Sequence, residues 1–244
     1  MPIDLLSGEF LYLAAIAAIA GVLRGYTGFG SAMVMSPLWA IAIGPAQAIA
    51  TLVVLEVAVS FQLLPRALRS TDWRLIGLLI VSAALAVPLG VWALVTVDPA
   101  MIRRVIGLVV LVWAGAMLWG VRYTGKLSTG ATLGIGATAG ALMGATGLGG
   151  PPILIYFLST PARAESNRAN IIVFFAIISV YLIGAFAVGG IYVAETWWRA
   201  ALMAPIFLGA AWVGANLFDK SSDATYRRVA LVFLLVIGLA TLAI

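Results

Sequence analysis

Two glycine-rich phrases hold the residues most able to do chemistry. Gly21-Val-Leu-Arg-Gly-Tyr-Thr-Gly-Phe-Gly30 returns 119 positions later as Gly140-Ala-Leu-Met-Gly-Ala-Thr-Gly-Leu-Gly149, with six of ten residues identical. Each phrase precedes a short apolar run, near 31–43 and 150–160. At about 1.5 Å rise per residue these runs cannot cross a bilayer as helices. A helix that breaks at glycine and restarts presents unpaired amides at its new N-terminus, and with the positive end of the helix dipole these make an anion site. Pro151 and Pro152 suit the first turn of the second short helix, where a missing N–H is harmless. Such amides are costly in lipid, so the breaks should line a cavity. The expected substrate-binding set is Arg24, Thr27, Gly28, Gly30, Ser31, Thr146, Gly147, Gly149, Gly150, Pro151, Arg168 and Asn170. The competing reading gives the glycines to close helix packing and the hydroxyls to bonds with neighbouring helices. Neither phrase matches the nucleotide-binding pattern G-x-x-x-x-G-K-[ST].

Glu56 is the second chemical signal. It lies inside Leu52-Val-Val-Leu-Glu-Val-Ala-Val-Ser-Phe61, with no other charge within nine residues on either side. A carboxylate at membrane depth must face a partner or a water-filled path. It is a candidate proton-coupling group, or else one half of a structural ion pair, with Arg24, that orients the broken helix. Arg24 either serves the anion pathway or snorkels to the cytoplasmic face. The matching positions in the second phrase and its surroundings are Met143 and Phe175, so any role of Arg24 or Glu56 is asymmetric. Arg168 and Asn170 are expected at the cytoplasmic mouth.

Membrane helices must position these groups. The chain is 64% hydrophobic and 9% charged, with mean hydropathy +1.14, far from the roughly 25% charged residues of soluble domains. The runs Leu75–Val97, Ala169–Val193 and Ala46–Leu64 approach or exceed the roughly 20 residues that span the hydrocarbon as helix, and barrel strands are about half that length. Met1 to Phe10 holds Asp4 and Glu9 in place of a basic leader, so no cleavable signal peptide is expected. The absence of Cys and His excludes disulfides, thiolate or imidazole metal sites and Cys or His catalysis. No metal, no cofactor and no enzymatic activity are expected. The net charge of +5 is scattered, without the aromatic interleaving of a nucleic-acid surface, so nucleic acid is not an expected partner.

Segments are expected near 9–26, 31–43, 46–64, 75–97 and 105–121, then near 128–146, 150–160, 169–193, 199–217 and 229–244. The expected architecture is all-α: a polytopic transmembrane bundle of two inverted-topology repeats, each of about five segments with broken or re-entrant helices. Residues 1–121 form the N-terminal repeat, 122–128 a cytoplasmic linker and 129–244 the C-terminal repeat. An odd number of crossings per repeat inverts the second half. On this layout 11 of the 14 Lys and Arg fall on one side, which places both termini outside the cytoplasm of a bacterial inner-membrane protein. Trp39, Trp73, Trp119, Trp197 and Trp198 fall near segment ends and are expected as interfacial anchors. Monomer and homodimer are both compatible with the pattern.

The phrases Gly25-Tyr-Thr-Gly-Phe-Gly30 and Gly144-Ala-Thr-Gly-Leu-Gly-Gly-Pro-Pro152, the Arg168-Ala-Asn170 stretch and the two-half layout resemble the sulfite exporter TauE/SafE family of membrane permeases. The resemblance runs from about Leu11 to the C-terminus. It implies transport, commonly export, of small sulfur-containing anions such as sulfite, thiosulfate, sulfoacetate or other organosulfonates. The inverted repeat and the isolated Glu56 lead to the further expectation of alternating access, with Glu56 as candidate proton carrier. An anion channel, or a permease for a small carboxylate, is the alternative.

Overall fold

The computed structural model describes residues 8–118, 128–158, 163–222 and 225. They form nine α-helices and no strand among the described residues. The first set is α1 (Gly8–Thr27), α2 (Ser31–Ile43), α3 (Pro45–Ala67), α4 (Trp73–Thr96) and α5 (Pro99–Leu118). The second is α6 (Thr129–Thr146), α7 (Gly150–Leu158), α8 (Ala164–Val188) and α9 (Ala194–Asp219). The expected tenth segment and nearly all of the linker lie outside the described residues. Five helices are long and apolar enough to cross a membrane: Gly8–Thr27, Pro45–Ser70, Trp73–Thr96, Glu165–Val188 and Ala194–Asp219. The protein is a multi-pass membrane protein, with apolar side chains such as Leu85, Leu89 and Trp92 on its outer surface, where lipid replaces water as the apolar solvent.

Local chemistry sets the helix ends. Asp72 accepts hydrogen bonds from the Arg74 and Leu75 amides to open α4, and Ser128 accepts from Ala131 N to open α6. Pro45 opens α3 directly after Gly44.

Three helix pairs dominate the packing: α1 with α9, α4 with α6, and α3 with α8. Small residues make the first two close. A Cβ on Gly25 would lie 1.9 Å from Ala211 O, and one on Gly214 2.0 Å from Val22 O. On the other pair, a Cβ on Gly140 would lie 2.1 Å from Ala83 O and one on Gly144 2.5 Å from Val87 O. The backbones of these helices touch, which only glycine permits. In both pairs the residue numbers rise together, so α1 runs parallel to α9 and α6 parallel to α4.

Hydrogen bonds tie the helix ends into two faces of the bundle. At one, Arg66 pairs with Asp219 at 2.9 Å, Ser70 Oγ donates to Glu165, and Asp72 N donates to Asn170 Oδ1. At the other, Gln47 donates to Ile191 O and accepts from Thr196. Helix α4 leaves the first face and α9 leaves the second, so α1 and α6 run in opposite directions. Exchanging α1 with α6, α3 with α8 and α4 with α9 maps the observed helix pairs onto one another.

Trp39 differs from expectation. It is 1% exposed, on the side of α2 that packs against its neighbours α1, α3 and α5, while Ile41 two residues on is exposed. Trp73, Trp197 and Trp198 are exposed, and Trp119 lies outside the described residues.

Candidate functional site

The two glycine phrases each do two jobs. Gly21, Gly25, Gly140 and Gly144 supply the close helix packing, whereas Gly28 and Gly147 turn the chain at φ +83° and +76°, where any other residue is strained. Thr27 and Thr146 close the turns in the same way. Each hydroxyl donates to the carbonyl four residues back, Leu23 O or Leu142 O, and accepts from the amide two residues on, Phe29 N or Leu148 N, at 3.2 Å. The shared Thr-Gly is therefore a turn motif, with its hydroxyls engaged by the backbone.

Between the breaks, where α1, α2, α3 and α8 meet, lies a small cavity. Arg24, Gly30, Ser31, Glu56, Gly147 and Gly150 border it, so both breaks contribute. Met143, Phe175, Ser179 and Leu182 complete its second-half wall. Its volume is about 20 Å³, room for about one water.

The polar centre of this cavity is a buried ion pair. Arg24, 0% exposed, places Nε 2.8 Å from Glu56 Oε2. Its other nitrogens donate to Gly28 O and, at 3.5 Å, to Ser60 Oγ. Thus Arg24 holds the break of its own helix and grips one turn of α3, since Glu56 and Ser60 stand four apart. Ser31, the first residue of α2, donates its hydroxyl to Glu56 Oε1. Phe175 on α8 stacks under the guanidinium, 5.3 Å from its ring centroid. Arg24 is enclosed and does not snorkel.

Arg168, Asn170, Gly149 and Pro151 are not among the residues that border the cavity. Arg168 on α8 donates from Nε to Tyr26 O at 3.0 Å and from Nη2 to Gly25 O, with its guanidinium 4.1 Å from the Phe218 ring centroid. It caps the last carbonyls of α1, where the helix dipole favours a cation. Asn170 serves the start of α4 through Asp72 N. A Cβ on Gly149 would lie 2.1 Å from Met143 Cγ, so this glycine packs against the cavity wall. Pro151 is buried in the first turn of α7 and, with Pro152, leaves that end with fewer amides than α2 has. The sequence reading did not single out Ser60 or Ser179. Their signal was present: they are 119 residues apart, the same spacing as the phrases.

A family model described as Sulfite exporter TauE/SafE matches residues 13–241. A protein of Cupriavidus necator named "Probable sulfite/organosulfonate exporter TauE" is 27% identical over 234 residues, which is 93% of this chain and 91% of that protein. No solved structure matches the chain. The family match spans both glycine breaks, the Arg24–Glu56 pair and the Arg168 cap, and with that the chain belongs to the sulfite exporter TauE/SafE family.

Proposed function

We propose that the protein is a secondary transporter of small sulfur-containing anions, such as sulfite, sulfoacetate or other organosulfonates, and that it works as an exporter by alternating access. The observation that carries this reading is Arg24: a fully buried cation at a helix break, facing a cavity bounded by both breaks and compensated by one carboxylate. Glu56 takes the place a substrate anion would occupy, beside the guanidinium and the first residue of α2. A buried guanidinium cannot shed its charge, but a carboxylate can take a proton. Glu56 therefore accepts a proton when an anion displaces it from Arg24, and a monovalent anion travels with one proton and no net charge.

A cavity that holds one water is too small for a sulfonate. The site accordingly opens when residues 1–121 and 129–244, two repeats of opposite orientation joined by the cytoplasmic linker 122–128, rock apart. The opposed directions of α1 and α6 and the exchangeable helix pairing support that arrangement. The backbone glycines at the breaks border the anion, Thr27 and Thr146 hold the turns, and Arg168 and Asn170 hold the surrounding helix ends. The choice of sulfur oxyanions rests on the family and on the name of the Cupriavidus necator relative. The basic face that carries Arg66, Arg69, Arg74 and Lys220 is cytoplasmic on this reading, with both termini on the other side of a bacterial inner membrane.

The test is flux of isotopically labelled sulfite and sulfoacetate in proteoliposomes. Saturable flux that unlabelled sulfonates compete away is the expected result. Indifference to a broad set of sulfur oxyanions would sink the substrate assignment.

A further inference from the structure

We propose that Ser179 is the second half's contribution to anion binding, its hydroxyl donating to the substrate oxygen that Arg24 does not reach. The inference rests on the transport reading and assigns a residue within the same site. Ser179 is 1% exposed, borders the cavity, and its Oγ has no hydrogen-bond partner among the described residues. Burying a hydroxyl unpaired is costly, so an orphan that persists calls for an explanation.

The usual resort of a serine or threonine within a helix is the carbonyl four residues back. Thr51, Ser82, Thr132 and Thr138 all use it here. Ser179 does not: its Oγ bonds no carbonyl of its own helix, and the residue borders the cavity. The 119-residue spacing explains why it stands alone. Its counterpart Ser60 accepts from Arg24, but the counterpart of Arg24 is Met143, which offers no donor. The second half has kept the hydroxyl of the Arg24–Glu56–Ser60 cluster without its charges, on a wall that the guanidinium also borders.

A sulfonate or sulfite group presents three oxygens. The planar guanidinium fork takes two, and the third is left for a neutral donor from the facing helix. Ser179 would thereby distinguish an anion with three oxygens from one with two, and bind the two halves of the protein to the same ligand.

Ser179→Ala tests this with methanesulfonate and methanesulfinate, which differ by one oxygen. Binding is read by ligand-induced thermal stabilisation of the purified full chain and flux in proteoliposomes. The expected result is methanesulfonate binding weakened about tenfold or more, as loss of a hydrogen bond to a charged group implies. Methanesulfinate binding should stay within about twofold, with the ligand-free unfolding temperature unchanged or higher, since an unpaired hydroxyl is removed. Ser179→Thr, which keeps the hydroxyl, should retain the preference for methanesulfonate. Equal weakening of both anions would assign Ser179 to the shape of the cavity and overturn the proposal, as would unchanged binding of both. If the unsubstituted protein binds neither of these anions nor sulfite nor sulfoacetate, the substrate assignment itself fails, and no variant is needed to see it.

Discussion

Neutralising Glu56 alone should destabilise the protein, and neutralising Arg24 as well should restore it. In Glu56→Gln the amide oxygen can still accept from Ser31, so the main loss is the counter-charge of a guanidinium that is 0% exposed and held at 2.8 Å. Removing one partner of a buried pair costs about 3–5 kcal/mol, because the other charge stays behind without compensation. Arg24→Met should cost less, since a lone carboxylate can take a proton and a lone guanidinium cannot lose one. Arg24→Met combined with Glu56→Gln leaves no orphan charge, and should fall within about 1 kcal/mol of the unsubstituted protein or above it. The expected coupling between the sites is therefore about 3 kcal/mol or more, far beyond the few tenths by which independent sites deviate from additivity. The assay is a double-mutant cycle of denaturant unfolding in one detergent at one pH, with anion flux measured in parallel. The stable double variant should carry no anion. If the two single costs simply add in the double variant, the pair is not what compensates Arg24, and the displacement mechanism falls with it.

Three further outcomes follow from the same geometry. A methyl group at Gly25 meets the α9 backbone at 1.9 Å and at Gly77 meets nothing within 4 Å; Gly25→Ala should therefore cost about 1–3 kcal/mol or more by overpacking, while Gly77→Ala gains about 0.5–1 kcal/mol, both read by unfolding. Arg168→Gln should cost about 1–3 kcal/mol by releasing the Gly25 and Tyr26 carbonyls, and Arg168→Lys should not rescue it, because one ammonium cannot reproduce the planar fork over Phe218. Flux of a monovalent sulfonate should respond to an imposed pH gradient and ignore an imposed potassium diffusion potential; acceleration by the potential alone would contradict one proton per anion.

What could be read from the sequence was what local chemistry decides. The breaks at Gly28 and Gly147 and the short helices after them follow from residues within a few positions. The division of labour among identical glycines does not. Gly25 and Gly28 are the same residue type in one phrase, but one meets Ala211 on α9 and the other makes a turn, and only the helix pairing separates the two. Arg168 caps a helix that ends about 140 positions earlier, and Trp39 is buried by neighbours that no local pattern names. Ser179 could be seen only by applying the spacing of the glycine phrases to residues that share no motif with them.

That spacing also shows that the charges of Arg24 and Glu56 have no counterpart at the equivalent positions, Met143 and Phe175. Two full copies of the Arg24–Glu56 pair at one shared cavity would add a second buried cation and a second carboxylate, each with its own desolvation cost. They would also give a small anion two guanidinium sites and two carboxylates to displace. With Met143 and Phe175 in the second half, the cavity lining holds one carboxylate, that of Glu56, and Phe175 supports the guanidinium through its ring face. If the proposed mechanism holds, one anion then displaces one carboxylate, which takes one proton. On the proposed mechanism the coupling ratio is thus fixed by the asymmetry of the two halves, and placing an arginine at Met143 with a carboxylate at Phe175 should alter that ratio or stop transport.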